Sequence, residues 1–199
     1  MNNSILRAGV ALACAASLAA CGGGNTGTLY LAGTVSGVTQ DGLVLQNNGG
    51  SDLVVAAGAT SFQFKDLVPS DSIYNVTIKD NGAARPANTE SCSVKNGSGN
   101  TGLYSVNSVQ VVCVITTHPL TGTVTGVTGK PGLILANGPN QVPVTTDGVF
   151  EMARVSLGYA YGVTVLQQPT GATCTVANGV GTIAGPVSNV AVTCVATGA

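Results

Sequence analysis

Few side chains in this chain could activate a nucleophile. The single histidine, His118, precedes Pro119 and has no acidic residue near it in the sequence. A catalytic serine or cysteine needs a base, and that base needs a further group to orient it. We therefore interpret His118 as a polar residue in a segment that connects two folded parts, and we predict no catalytic residue.

The eight acidic residues lack the spacings that carboxylate chemistry requires. Asp66 and Asp71 flank a predicted turn, and Glu151 is expected to point outward from a strand whose apolar residues point inward. Glycoside hydrolysis needs two carboxylates that face one bond, and a calcium loop needs alternating acids. A crosslink from Lys130 promoted by Glu151 is disfavoured because Lys130 adjoins a Pro-Gly turn. We expect a protein that is not an enzyme and that binds no cofactor.

The N-terminal residues have the pattern of an export signal. Arg7 supplies one positive charge, and residues 8–20 are uncharged and rich in Ala and Leu. This apolar run is shorter than the roughly 20 residues that a membrane-spanning helix needs, and it ends in small residues. The sequence therefore predicts a signal peptide over residues 1–20 that is removed from the mature protein.

Leu18, Ala19, Ala20 and Cys21 resemble the lipobox of bacterial lipoproteins. In that family the cysteine becomes the new N-terminus and carries a diacylglyceryl group. The resemblance implies a lipid on Cys21, a membrane as partner through that lipid and, because Gly22 rather than Asp follows, the outer membrane. The alternative is an ordinary secretory cleavage site followed by a cysteine. We expect residues 21–29 to be the lipidated cysteine and a flexible tether.

The other cysteines predict disulfides. Cys14 leaves with the signal peptide, so an even number of thiols remains in the exported body. Such a count favours structural bridges in an oxidising compartment. A zinc site requires closely spaced Cys or Cys/His pairs, which these cysteines do not form in the sequence, so we predict no metal site. The predicted disulfide residues are Cys92, Cys113, Cys174 and Cys194.

Composition excludes one class of partner and disfavours another. Charged residues are 8% of the chain, against about 25% in typical soluble proteins. Loss of Arg7 leaves six basic and eight acidic residues, which gives no basic surface for nucleic acid. Aromatic residues are 4% and Trp is absent, which counts against a carbohydrate-binding module that stacks sugars on rings.

The mature chain contains an internal repeat. Several motifs of the first half return in the same order in the second, which predicts two domains at residues 30–115 and 119–197, joined near Pro119. The matching motifs are GTVSGV at 33–38 and GTVTGV at 122–127, GLVL at 42–45 and GLIL at 132–135, YNVTI at 74–78 and YGVTV at 161–165, and CSVKNG at 92–97 and CTVANG at 174–179.

The sequence of each half predicts an all-β sandwich. Apolar and polar residues alternate, as on strands with one buried face, and Asn-Gly pairs supply tight turns between them. We count about seven short strands in each half, at spacings typical of a sandwich, and no helical pattern after the signal peptide.

The alternation also places the cysteines on buried faces. Cys113 shares a face with Val109 and Val111, and Cys92 shares one with Val94. The simplest pairing closes one bridge within each half, Cys92 with Cys113 and Cys174 with Cys194. Four cysteines allow three connectivities, so bridges between the halves also fit the count.

These motifs together resemble a repeat of bacterial surface lipoproteins, and the resemblance covers residues 30–197. It implies two tandem immunoglobulin-like or prealbumin-like sandwiches, but it implies a location rather than an activity. The first half departs from the pattern by extra residues around 82–90 and 98–105. We expect a non-catalytic spacer or surface interaction protein of the cell envelope, with an envelope protein or glycan as partner. The alternative is a ligand- or glycan-binding module that uses these two lengthened loops.

Overall fold

The computed structural model describes residues 27–198, and these residues confirm the all-β class. They form eighteen strands and one short 3-10 turn, Asp80–Gly82. Within this range no helix is long and apolar enough to cross a bilayer. The predicted signal peptide over residues 1–20, Cys21 and the predicted tether as far as residue 26 lie outside the described residues.

The first half contains ten strands in two four-stranded sheets and one short ribbon. The sheets have the orders β5-β2-β10-β8 and β4-β3-β7-β9, and β1 pairs with β6. The strands are β1 (Thr28–Leu29), β2 (Leu31–Ser36), β3 (Leu43–Asn47), β4 (Gly50–Val55), β5 (Ser61–Gln63), β6 (Val68–Pro69), β7 (Ile73–Ile78), β8 (Thr89–Lys95), β9 (Ser98–Asn100) and β10 (Val106–Ile115).

The second half repeats the two four-stranded sheets in the same order, without a separate counterpart of the β1–β6 ribbon. Its sheets have the orders β14-β11-β18-β16 and β13-β12-β15-β17. The strands are β11 (Thr117–Thr125), β12 (Leu133–Asn137), β13 (Asn140–Val144), β14 (Gly148–Ser156), β15 (Ala160–Gln167), β16 (Ala172–Ala177), β17 (Val180–Thr182) and β18 (Val187–Ala196).

In each half the chain starts and finishes in the middle of the same sheet. The first central strand pairs in parallel with the last one, β2 with β10 and β11 with β18. Each half also has its own hydrophobic core, with Leu31 and Leu43 in the first cluster and Leu120 and Leu133 in the second. Because both sheets of a half contribute to one cluster, each half is a sandwich of two sheets.

Alternation along the strands places side chains as the sequence predicts. Tyr74, Val76 and Ile78 on β7 are buried, whereas Asn75 between them is exposed. Glu151 is exposed on β14. One face of each sheet therefore forms the core and the other carries the polar residues.

Glycines pair with aromatic rings across neighbouring strands, at equivalent places in the two halves. Gly33 lies opposite Phe62, and Gly122 lies opposite Phe150. A β-carbon at either glycine would overlap both that ring and the carbonyl oxygen of the parallel strand, which belongs to Val109 or to Val190. The ring fills the space that the glycine leaves, which explains the first glycine of the GTVxGV motif.

The second glycine of the motif ends the strand against the disulfide. Gly37 and Gly126 have φ of 78° and 80°, a region that side chains with a β-carbon rarely occupy. A β-carbon at these positions would overlap the carbonyl oxygen of Cys113 and of Cys194, respectively. Both glycines of the motif are therefore required by the close approach of backbone segments.

Each half contains one disulfide, with the simplest of the three pairings. Cys92 is joined to Cys113, and Cys174 is joined to Cys194. In both cases the two residues lie directly opposite each other on antiparallel neighbours, β8 with β10 and β16 with β18. The bonds therefore connect an edge strand to the central strand of one sheet, unlike the bridge between sheets of antibody domains.

The strands differ from the boundaries that the sequence suggested at two places. Thr28 and Leu29 pair with Pro69 and Val68, so these two residues, which the sequence assigned to the tether, form strand β1. β11 begins at Thr117, so the second sandwich starts before residue 119. His118 pairs with Val155 of β14 and is part of a strand rather than of a linker. Short strands at the edges also raise the number per half above seven.

We expect Gly122→Ala to destabilise the second half by about 1–3 kcal/mol, because the added methyl group overpacks a site closed by backbone and ring. Gly162→Ala is the matched control, since Gly162 also lies in a strand and has no atom within 4 Å of an added β-carbon. Urea unfolding would measure both variants. Equal stabilities of the two variants would contradict this account of the motif.

We expect the double variant Cys174→Ala, Cys194→Ala to lose about 3 kcal/mol of unfolding free energy in the second half. The bond closes a loop with a sequence separation of 20, and loss of this constraint raises the entropy of the unfolded chain. Denaturation followed with and without reductant would measure the loss, and the reductant should have no further effect on the second half of the variant. An unchanged stability would contradict the expectation.

Candidate functional site

The connection between the two sandwiches is a single residue held from both sides. β10 ends at Ile115 and β11 begins at Thr117. The N–H of Thr116 donates to the carbonyl oxygen of Asn88 at 2.9 Å, and its own carbonyl accepts from the N–H of Leu157 at 2.8 Å. Thr116 is therefore hydrogen-bonded to a loop of the first half and to a loop of the second.

The first lengthened loop contacts this junction. Residues 79–88 connect β7 to β8, whereas only residues 168–171 connect the equivalent strands β15 and β16. Near its end, Asn88 is buried, and its Nδ2 donates to Thr39 Oγ1 at 2.8 Å. Ala84 in its middle accepts from the N–H of Val44 on β3 at 3.1 Å. The extra residues around 82–90 therefore form hydrogen bonds with the junction and with one strand of the second sheet.

The second lengthened loop is smaller than the sequence suggested. β9 is followed by residues 101–105 before β10, and β17 is followed by residues 183–186 before β18. The difference is one residue, because Ser98–Asn100 forms strand β9 and has its counterpart in β17. The extra segment at 98–105 is therefore a strand and a short loop rather than an insertion.

A groove lies along β7 beside the first lengthened loop. Its volume is about 770 Å³, within the usual range of small-molecule sites. The 3-10 turn Asp80–Gly82 forms one wall, and the start of β9 forms another. The polar residues of the lining are Gln46, Asn75, Thr77, Asp80, Asn81 and Ser98.

One ion pair lies close to this groove. Lys79 Nζ donates to Asp52 Oδ2 at 2.5 Å, and Gln46 Nε2 donates to the other carboxylate oxygen at 2.8 Å. The hydrogen bond from Lys79 lowers the pKa of Asp52, with a smaller contribution from Gln46, and the same bond raises the pKa of Lys79. Both side chains are more than a third exposed, so solvent screens the pair. It also holds the side-chain amide of Gln46, a residue of the groove, against Asp52.

The strongest carboxylate site is in the second half and is structural. Asp147 accepts from the backbone N–H groups of Gly126, Val127 and Thr128 at 3.0, 2.7 and 3.0 Å. These three bonds lower the pKa of Asp147, because they favour the charged carboxylate. Lys130 Nζ donates to the carbonyl oxygen of Gly126 at 2.8 Å. Lys130 thus closes the same turn and does not face Glu151.

The residues singled out in the sequence do not assemble into a reactive centre. Within residues 27–198, His118 forms no hydrogen bond with a carboxylate, and no three His, Cys, Asp or Glu side chains are grouped closely enough to hold a metal ion. The four disulfide cysteines are paired, and Cys21 lies outside the described residues. What the structure brings together instead is the groove and the junction.

Sequence reasoning did not find the residues that matter most at these two places. Asn88 carries no motif, and its contacts with Thr39 and Thr116 span 49 and 28 positions along the chain. Asn75 looked only like the outward residue of a strand. The Asp-Gly pair at 147–148 was a usable turn signal for the Asp147 site.

Comparisons with known proteins give weak structural similarities. The Bacillus anthracis TIE protein aligns with a TM-score of 0.45 and 14% identity over 82% of this chain. The chain spans about a third (34%) of the length of that protein. The major pilin T-13 of Streptococcus pyogenes gives a TM-score of 0.29 and 12% identity, covering 86% of this chain and 98% of the pilin. A shaft pilin of Lactobacillus rhamnosus GG gives 0.29 and 11%, covering 87% and 99%.

No protein family model matches the sequence, and no curated protein matches it.

We expect Asp147→Asn to lower the melting temperature near neutral pH but not in acid. The pKa of Asp147 is lowered in the folded state, so its stabilisation is complete above the ordinary value of 3.8 and is lost as the pH falls through the folded value. Thermal unfolding of both proteins between about pH 7 and pH 2 would measure the difference. A difference that stays constant across this range would contradict the assignment.

Proposed function

We propose that this protein is a cell-envelope lipoprotein that acts, without catalysis, as a structural spacer or surface interaction protein. The observation that carries the proposal is the junction at Thr116, where one hydrogen-bonded residue joins two folded sandwiches. A flexible linker would let two modules reorient, whereas a single residue bonded on both sides resists this. Such a body can hold its far end at a constant distance from its attachment point.

The proposed attachment point is the lipid on Cys21. Each buried CH₂ group contributes about 0.8 kcal/mol to membrane binding, and a single short acyl chain binds only reversibly. Two or three chains on one cysteine would hold the body permanently. By the resemblance of residues 18–22 to lipoprotein signals, the proposed location is the outer membrane.

We further propose that the two halves are separate domains with their boundary at Thr116. The separate cores and separate disulfides support this. Equivalent topology in both halves indicates that one module was duplicated, and a stack of similar modules suits a spacer. The low charge of the chain leaves an uncharged polar surface of Ser, Thr, Asn and Gln, which offers no site for nucleic acid.

A second candidate function is recognition of a polar ligand such as a glycan or a peptide of the envelope. The groove of about 770 Å³ favours it, because its amide, hydroxyl and carboxylate groups could bond to hydroxyl or amide groups of a ligand. The 3-10 turn that forms one wall belongs to the longer connection of the first half. The groove would therefore be a feature in which the two modules differ, and differences between repeats often carry function.

We expect Cys21→Ser to leave an unprocessed precursor and to remove the acyl chains from the protein. Lipoprotein maturation needs the thiol, so the variant should not be cleaved before residue 21, and globomycin should likewise leave uncleaved precursor of the wild type. Mass spectrometry of the N-terminal peptide would measure both outcomes. Normal cleavage and membrane retention of the variant would overturn the anchor.

We expect Ser98→Trp to abolish capture of any envelope partner that uses the groove, because an indole at this wall would fill it. Val180→Trp is the matched control, since Val180 begins β17 as Ser98 begins β9 and is 80% exposed. Pull-down from envelope extracts with the wild type and both variants would measure the effect. A partner retained equally by all three proteins would rule out the groove and favour the spacer.

A further inference from the structure

Three segments meet at the end of the first sandwich where the described chain begins. The N–H of Ser70 donates to the carbonyl oxygen of Gly27 at 2.7 Å, which joins the chain start to residues 67–71. The N–H of Tyr30 donates to Ser105 Oγ at 3.0 Å. Thr101 Oγ1 donates to the carbonyl oxygen of Pro69 at 2.9 Å. Residues 27–30, 67–71 and 101–105 thus form one surface, which we call the N-terminal face.

The N-terminal face exposes large apolar side chains. Tyr104 is 81% exposed, Leu103 is 70%, Tyr30 is 53% and Leu67 is 44%. Asp71 is the only charged residue in the three segments. Single exposed leucines are common on protein surfaces, but two leucines beside two tyrosines on one face mark a contact surface.

The equivalent end of the second sandwich lies at the junction with the first sandwich. Residues 183–186 correspond to 101–105, and the N–H of Ile183 donates to the carbonyl oxygen of Tyr159 at 2.9 Å, beside Leu157, which bonds to Thr116. In the strand register Ile183 corresponds to Thr101, and both are buried. The exposed Leu103 and Tyr104 of the first half have no large apolar counterpart, because residues 184–186 are Ala-Gly-Pro. In the second half this end faces the preceding module. In the first half no module precedes it within the described residues.

We propose that the N-terminal face rests on the lipid surface that anchors the protein, an inference that builds on the proposed lipid at Cys21. Six peptide units separate Cys21 from Gly27 and can span at most about 20 Å, so this face cannot lie far from an anchored cysteine. Tyrosine suits the boundary between headgroups and acyl chains, and leucine suits the apolar side. The face adds a second attachment and orients the spacer upright.

The absence of Trp from the chain makes a direct test available. Tyr104→Trp places a single indole on the N-terminal face, and Val180→Trp places one on an equally exposed site of the second half. Both mature proteins are bound to phosphatidylethanolamine and phosphatidylglycerol vesicles through Cys21, and flotation confirms anchoring. A second preparation of each carries a polyhistidine tag in place of the lipid and binds vesicles that contain a nickel-chelating lipid.

With either anchor we expect emission of the Tyr104→Trp protein to shift to shorter wavelength on vesicles and to be quenched by brominated acyl chains. The Val180→Trp protein should show neither change. If the tagged Tyr104→Trp protein shows the shift and the quenching, but Cys21 carries no acyl chains in cells, the lipid-facing surface is supported and the lipid on Cys21 is overturned. Unchanged emission of anchored Tyr104→Trp, or a shift that appears without vesicles as protein concentration rises, would overturn the lipid surface as occupant.

Discussion

The fold depends on the close approach of the first and last strands of each half. β2 and β10, like β11 and β18, run in parallel at the centre of a sheet, and the carbonyl oxygens of Val109 and Val190 occupy the space of a missing β-carbon. Phe62 and Phe150 cover the same glycines from the other neighbouring strand. The last strand is then joined by the disulfide to the edge strand beside it. Glycine, ring and disulfide thus hold one four-stranded sheet.

Glycine also pairs with an aromatic ring in the second sheet of each half. Tyr74 lies opposite Gly99, and Tyr161 lies opposite Gly181. Half of the few Phe and Tyr residues in the chain therefore pair with glycine. A protein with 4% aromatic residues places them where a ring fills a gap in the backbone packing, and the disulfides supplement a core of small aliphatic side chains.

Differences between the halves lie mainly around the junction and the N-terminal face. The longer connection in the first half supplies Asn88 to the junction and the 3-10 turn to the groove. The loop before the last strand exposes Leu103 and Tyr104 in the first half, whereas residues 184–186 of the second half are Ala-Gly-Pro and expose no large apolar side chain. The two modules therefore differ at this end. The first module exposes its N-terminal face, whereas the equivalent end of the second module lies at the junction.

The sequence by itself determined the class of fold, the repeat and the faces of the strands. Alternation, turn pairs and duplicated motifs are local, so the pattern of residues alone places the strand at 74–78 and puts the cysteines on buried faces. In the sequence Pro119 resembled a break between domains, whereas it lies at a register irregularity within β11. His118 was misplaced for the same reason.

Only the tertiary structure decided the pairing of strands, the junction and the two candidate surfaces. The contacts of Asn88, the groove along β7 and the N-terminal face join segments that are up to 75 positions apart in the chain. No periodic pattern encodes such contacts, because hydrogen bonds between loops depend on where the sheets bring those loops together.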